Sequence, residues 1–197
     1  GGRRGHAEQA LRLLLARDAV EGRALAEGLE EENRKRRRFD EAAAREASER
    51  VVHELGWPDR SSVLLWAEQW HAGGVGIVAS RLGERFQRPA LLVALDGELG
   101  RGSGRTTGGI DLTELLAACD DLLVTWGGHA AAAGFTVRRE NLPELRERVE
   151  RWVAERLDPE RCVPRLVLDA ELGLADCSLE LVDWLDRLAP FGLGNPE

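Results

Sequence analysis

Three glycine-rich segments carry the residues of this chain that could do chemistry, and all lie within about sixty positions. The most informative is Trp126-Gly127-Gly128-His129, followed by four alanines, Gly134 and Phe135. Paired glycines let a ligand approach the backbone closely. His129 can hydrogen-bond a phosphate and changes charge near neutral pH. The alanines read as a helix start, and exposed amides at a helix N-terminus favour an anion. A tight turn whose histidine caps or packs is the competing reading. A second segment, Trp70-His71-Ala72-Gly73-Gly74-Val75-Gly76, also enters a predicted helix. The third, Gly100-Arg101-Gly102-Ser103-Gly104-Arg105, is extended, so Arg101, Ser103 and Arg105 face one way. Two guanidinium forks and a hydroxyl together suit a terminal phosphate. The plainer alternative is a glycine-loosened edge strand with solvated arginines. Trp70 and Trp126 flank glycine turns, where they could stack on a base.

Positioning these segments requires an α/β framework. Helical periodicity runs over residues 6–28, and a second polar helix spans 30–55, stopped by Gly56 and Pro58. Its run Arg34-Lys35-Arg36-Arg37-Arg38 reads as a solvated face on an element joining two bodies. Strands at 62–67 and 90–95 bracket a helix at 75–86, and the extended glycine piece spans 101–107. A helix at 112–118 precedes 122–125, Gly-Gly-His and the alanine helix. A strand at 135–138 and an amphipathic helix at 142–157 close this body. Alternating strands and helices imply a mixed sheet covered by helices. Beyond Asp158-Pro159 come a strand at 166–170, a helix at 179–188 and the turn Pro190-Phe-Gly-Leu-Gly-Asn-Pro196.

Composition narrows the classes. The 197 residues, 43% hydrophobic and 31% charged, describe an ordinary globular chain with material for a core. No apolar run approaches the roughly 18 residues of a membrane span. The net charge of -8 argues naively against nucleic acid, but it is unevenly spread. Residues 1–60 are neutral, 61–138 carry -2 and 139–197 carry -6, so a local basic site is allowed. Cys119, Cys162 and Cys177 form no CxxC, as expected of reduced thiols. There is no Walker GxxxxGK[ST], no HExxH and no aspartate cluster at metal-binding spacing. Without an initiating methionine or signal peptide, and ending inside a turn, the sequence reads as a portion of a longer one.

Taken together, Trp70 to Leu82 with Arg88-Pro89, then Gly102-Ser103-Gly104-Arg105, then Gly127 to Gly134 resemble the RecJ-type single-stranded-DNA exonucleases of the DHH/DHHA1 phosphoesterase superfamily. Pro190–Pro196 is similar to the run opening that family's OB-fold domain, and Gly2-Arg3 with the following helix resembles the tail of its DHH domain. The resemblance covers almost the whole chain. It implies three parts: residues 1–56 as the end of the DHH domain and a long connecting helix, 57–160 as a mixed-sheet DHHA1 substrate-binding domain, and 161–197 as the start of an OB-fold β-barrel. It implies that Ser103 and Arg105 hold a 5′-terminal phosphate and that His129, with Gly127 and Gly128, faces the scissile phosphate. His71, Gly73, Gly74, Arg101 and Arg3 would contact DNA. Mn2+ or Mg2+ would be bound by the DHH domain, so this segment alone should be inactive. The implied setting is cytoplasmic DNA repair and recombination on single-stranded DNA, with single-strand-binding protein and a recombination helicase as partners. A DHH/DHHA1 oligoribonuclease or nucleotide phosphatase, and a non-catalytic single-strand-binding module, are the alternatives.

Overall fold

Two largely apolar runs, Val63–Ala67 and Ala90–Asp96, are buried on both faces and form the adjacent parallel strands β1 and β2. A continuous apolar run is what a strand covered on both sides requires. The computed structural model describes residues 7–106, 109–163, 168–192 and 194–195. Connecting β1 to β2 is helix α3 (Val75–Phe86), and β2 turns back into β3 (Leu99–Arg105). Helix α4 (Leu112–Ala117) precedes the hairpin β4 (Leu123–His129) and β5 (Ala132–Arg138), and α5 (Leu142–Ala154) follows. The sheet order is β1-β2-β3-β5-β4, parallel only at β1–β2, which is the mixed α/β sheet expected.

Side chains alternate across the sheet to build two cores. On one face Leu64, Leu91, Val93, Phe135 and Val137 pack with α4 and α5. On the other, Leu65, Leu92 and Ala94 meet Val78 and Leu82 of α3 and Ala47 and Val51 of the long helix α2 (Ala19–His53). That helix departs from the expected boundaries. The chain breaks at residues 15–18 instead of 29: Asp18 caps α2 by accepting from the Val20 and Glu21 amides, each at 2.9 Å. A carboxylate at the cap fixes a start more firmly than Gly28 imposes a stop, because a glycine inside a long helix costs only about 1 kcal/mol. Helix α1 (Ala7–Leu14) is thus a separate short piece. The basic run is mostly consumed within α2, with Arg34 on Glu31, Lys35 on Glu32 and Arg36 on Asp40.

The chain divides into two units, Gly1–Pro164 and Arg165–Glu197. In the second, helix α6 (Leu179–Asp186) is capped by the Ser178 hydroxyl, and Asn195 Nδ2 donates to the Leu188 and Pro190 carbonyls. Of the strand expected at 166–170, residues 166 and 167 lie outside the described residues, and 168–170 are not in a strand. Among the described residues, no helix is long and apolar enough to cross a membrane.

Candidate functional site

Strand β3 is central, not an edge, and its glycines have a packing cause. A Cβ built on Gly100 would come within 2.4 Å of Val93, and one on Gly102 within 2.2 Å of the Phe135 ring. These glycines face the α4/α5 core, so the alternate positions Arg101, Ser103 and Arg105 share the opposite face. Arg105 Nη1 donates to Ser103 Oγ at 2.9 Å and to the Gly104 carbonyl at 2.7 Å. The fork and hydroxyl therefore form one polar unit. It lies against the first turn of α3, where a Cβ on Gly76 would sit 3.0 Å from both Arg105 Nη2 and Ser103 Oγ. A helix N-terminus, a guanidinium and a hydroxyl converge there, and each favours an anion.

The His71 turn supplies that N-terminus. His71 Nδ1 accepts from the Gly73 amide at 3.0 Å, and its carbonyl accepts from Gly74 at 2.8 Å and Val75 at 3.2 Å. Gly74 is the N-cap residue of α3 and offers no side-chain cap. Beside it stands Asp40 of α2, 4% exposed and paired with Arg36 at 2.9 Å. Trp70 is not available for stacking: it is 6% exposed, its indole N–H bonds Glu46 at 3.2 Å, and it packs in the α2/α3 core. Trp126 is half-buried against the other core and donates to Asp120 at 2.6 Å.

Gly127-Gly128-His129 does not open a helix. It ends the edge strand β4, and Ala130-Ala131 form the hairpin turn into β5. Four alanines are too few to sustain a helix alone. The turn carbonyls instead accept from outside, Ala130 from the Leu112 amide at 2.9 Å and Ala131 from Thr106 at 3.2 Å. The helix-dipole argument for this segment therefore falls, but register gives it a different role. His129 pairs with Ala132, which pairs with Arg105; Gly127 pairs with Gly134, which pairs with Ser103. Directly paired residues share a face, so His129 and Arg105 stand on one side of the sheet, their backbones about 10 Å apart. Between them Ala132 and Gly134 make a shallow floor, and space above Gly127 is open to 4 Å. His129 is exposed, and its side chain has no hydrogen-bond partner among the described residues. Sequence reading missed Asp40, and it included Gly76, Ala132 and Gly134 within the glycine-rich segments without giving Ala132 or Gly134 a site role. The period-two burial of Ala133, Phe135 and Val137 was the available signal for β5.

Arg3 lies outside the described residues. Among those described, no group of three or more His, Cys, Asp or Glu is placed to hold a metal ion. The donors at the site, a guanidinium, a hydroxyl and backbone amides, suit an anion and do not fit a divalent cation.

Fold and site together define an α/β domain that presents phosphate-compatible groups on one face of a mixed sheet. Residues 60–155 match the DHHA1 domain family. From end to end it is similar to proteins named single-stranded-DNA-specific exonuclease RecJ. It is 35% identical to that of Bacillus subtilis (strain 168), over all of this chain and 25% of the relative. It is 38% identical to that of Thermus thermophilus, over 99% of this chain and 28% of the relative. The crystal structure of RecJ in complex with Mg2+ from Thermus thermophilus superposes with a TM-score of 0.87 at 36% identity, covering 99% of this chain and 30% of that one. Its complex with Mn2+ gives 0.86. The chain thus spans about a quarter to a third of the curated relatives' length.

Proposed function

We propose that this chain is the substrate-handling part of a RecJ-type 5′→3′ single-stranded-DNA exonuclease. Residues 1–56 carry the connecting helix, 57–160 the DHHA1 domain and 161–197 the opening of an OB-fold. The observation that carries the reading is the row His129–Ala132–Arg105 with its neighbour Gly127–Gly134–Ser103. Arg105 and Ser103 bind the 5′-terminal phosphate at the start of α3. His129, two strands away over a small-residue floor, donates a hydrogen bond to the phosphate being cleaved. His71, Gly73, Gly74 and Arg101 line the approach, and Arg3 adds a contact from the N-terminal side. A divalent ion, held by a DHH domain outside this chain, supplies the activated water. This segment alone with Mn2+ should leave single-stranded DNA intact. A cytoplasmic setting in DNA repair, with single-strand-binding protein and a helicase, belongs to the same reading. The three free thiols suit it.

The test is Arg105→Ala in the full-length protein. A charge-assisted hydrogen bond contributes about 1.5–3 kcal/mol, so kcat/KM on 5′-phosphorylated strands should fall about 10- to 100-fold more than on 5′-hydroxyl strands. Equal losses on both would remove the terminal-phosphate role.

A further inference from the structure

A groove of about 430 Å³ runs between α2 and α3, on the side of α3 away from the sheet. Arg45 of α2 and Arg81 and Arg85 of α3 line it. All three arginines are exposed, and none has a carboxylate within ion-pair distance among the described residues. Along α2, Arg34, Lys35, Arg36 and Arg50 each have one, whereas Arg23, Arg37 and Arg38 resemble Arg45 in having none among the described residues. Ser48 lines the same groove, is 7% exposed, and its hydroxyl has no hydrogen-bond partner among the described residues. Cations in a last helical turn are favoured whether or not a ligand is present, which accounts for Arg85. It does not account for Arg45, eight residues before the end of α2, or for Arg81. Three arginines against the single carboxylate of Glu49 make the lining cationic in a chain of net charge -8, which suits an anion.

We infer that this groove binds backbone phosphates of single-stranded DNA, as a second contact separate from the terminal-phosphate pocket. The choice of DNA rests on the function proposed above. From Gly76, beside Ser103 and Arg105, Arg81 and Arg85 lie roughly 7.5 and 13.5 Å further along the α3 axis and about 140° and 180° around it, so a strand reaches the groove from the pocket by passing round the helix. Phosphodiester oxygens would take the guanidinium forks and the Ser48 hydroxyl, and the sugar edge would rest on the exposed Val52.

The experiment is equilibrium binding of a 3′-labelled oligothymidine to the full-length protein in EDTA, with and without a 5′-phosphate, across a salt series. The variant Arg45→Gln/Arg81→Gln/Arg85→Gln is compared with Arg23→Gln/Arg37→Gln/Arg151→Gln, which removes equal charge from elsewhere. Each single-strand phosphate contact contributes about 0.7 to the slope of log K against log salt, so the groove variant should flatten that slope by about 2. Its preference for a 5′-phosphate should persist, and the second variant should retain the parental slope. An unchanged slope in the groove variant, or an equal flattening in both variants, overturns the inference. A flattened slope without any 5′-phosphate preference in the parent protein would sustain the groove and remove the terminal-phosphate reading.

Discussion

The ring of Phe135 occupies the volume into which any side chain on Gly102 would project: a Cβ there would lie 2.2 Å from Cζ and 2.4 Å from Cε2. The two residues are paired across β3 and β5, so the ring lies flat over the neighbouring strand and closes the α4/α5 core. The glycine next to Ser103 is therefore a packing residue, and the site is built on a strand held rigid from behind.

Gly102→Ala should accordingly destabilise the fold, by about 1–3 kcal/mol from overpacking. Denaturant midpoints measure the loss. Gly102→Ala/Phe135→Leu should recover part of it, because a smaller side chain restores the missing space. No recovery would mean that the ring is not the obstacle.

Gly127 and Gly128 should separate cleanly. Gly128 has φ +148°, and a Cβ there would come within 2.5 Å of the Ala132 carbonyl and the Ala133 Cα. Gly128→Ala should loosen the β4–β5 hairpin, seen as faster amide exchange across it. At Gly127 a Cβ meets nothing within 4 Å, so Gly127→Ala should keep stability within about 0.5 kcal/mol. Under the proposed function it should still slow cleavage, by intruding where the phosphate approaches. Parental kinetics in Gly127→Ala would remove the close approach from the proposal.

Much of this arrangement was legible in the residues. The apolar runs of β1 and β2 and the periodicity of α3 and α5 mark their own positions, because those elements are ordered by burial that the pattern records. Ser103 and Arg105 were placed on one face by alternation alone. The alanine run after His129 misleads because its local preference is helical, while partners distant in sequence fix it as a turn and strand. The alignment of His129 with Arg105 is a property of register across three strands, which no local window contains. Asp40 was hidden for the same reason: its burial depends on α3, thirty-four residues further on.

That contact makes a third prediction. A Cβ on Gly74 would sit 2.6 Å from Asp40 Oδ1, in a carboxylate already held by Arg36. Gly74→Ala should therefore cost about 1–2 kcal/mol, since moving the carboxylate breaks its pair or crowds the start of α3. Asp40→Ala should be destabilising by itself, yet Gly74→Ala should be nearly silent in the Asp40→Ala background. A double-mutant cycle on denaturant midpoints measures the coupling, and additive effects would show the two positions to be independent.

The last prediction uses the alkaline range, which is unusually clean in a chain with no tyrosine and one lysine. Cys119 is fully buried beneath α4, and that burial pushes its thiol from 9.0 up to about 11. The folded state thus keeps a proton that the unfolded chain releases near pH 9. Between pH 9 and 11 the unfolded state binds fewer protons, so stability falls as pH rises. The contribution is complete below pH 9 and lost above about 11. Cys119→Ala removes the titrating group and should have the flatter profile over that window, although it starts lower because a buried thiol has been replaced by a smaller side chain. Denaturant midpoints at pH 8 and 10.5 for both proteins test this. Parallel profiles would assign the alkaline loss to groups other than Cys119.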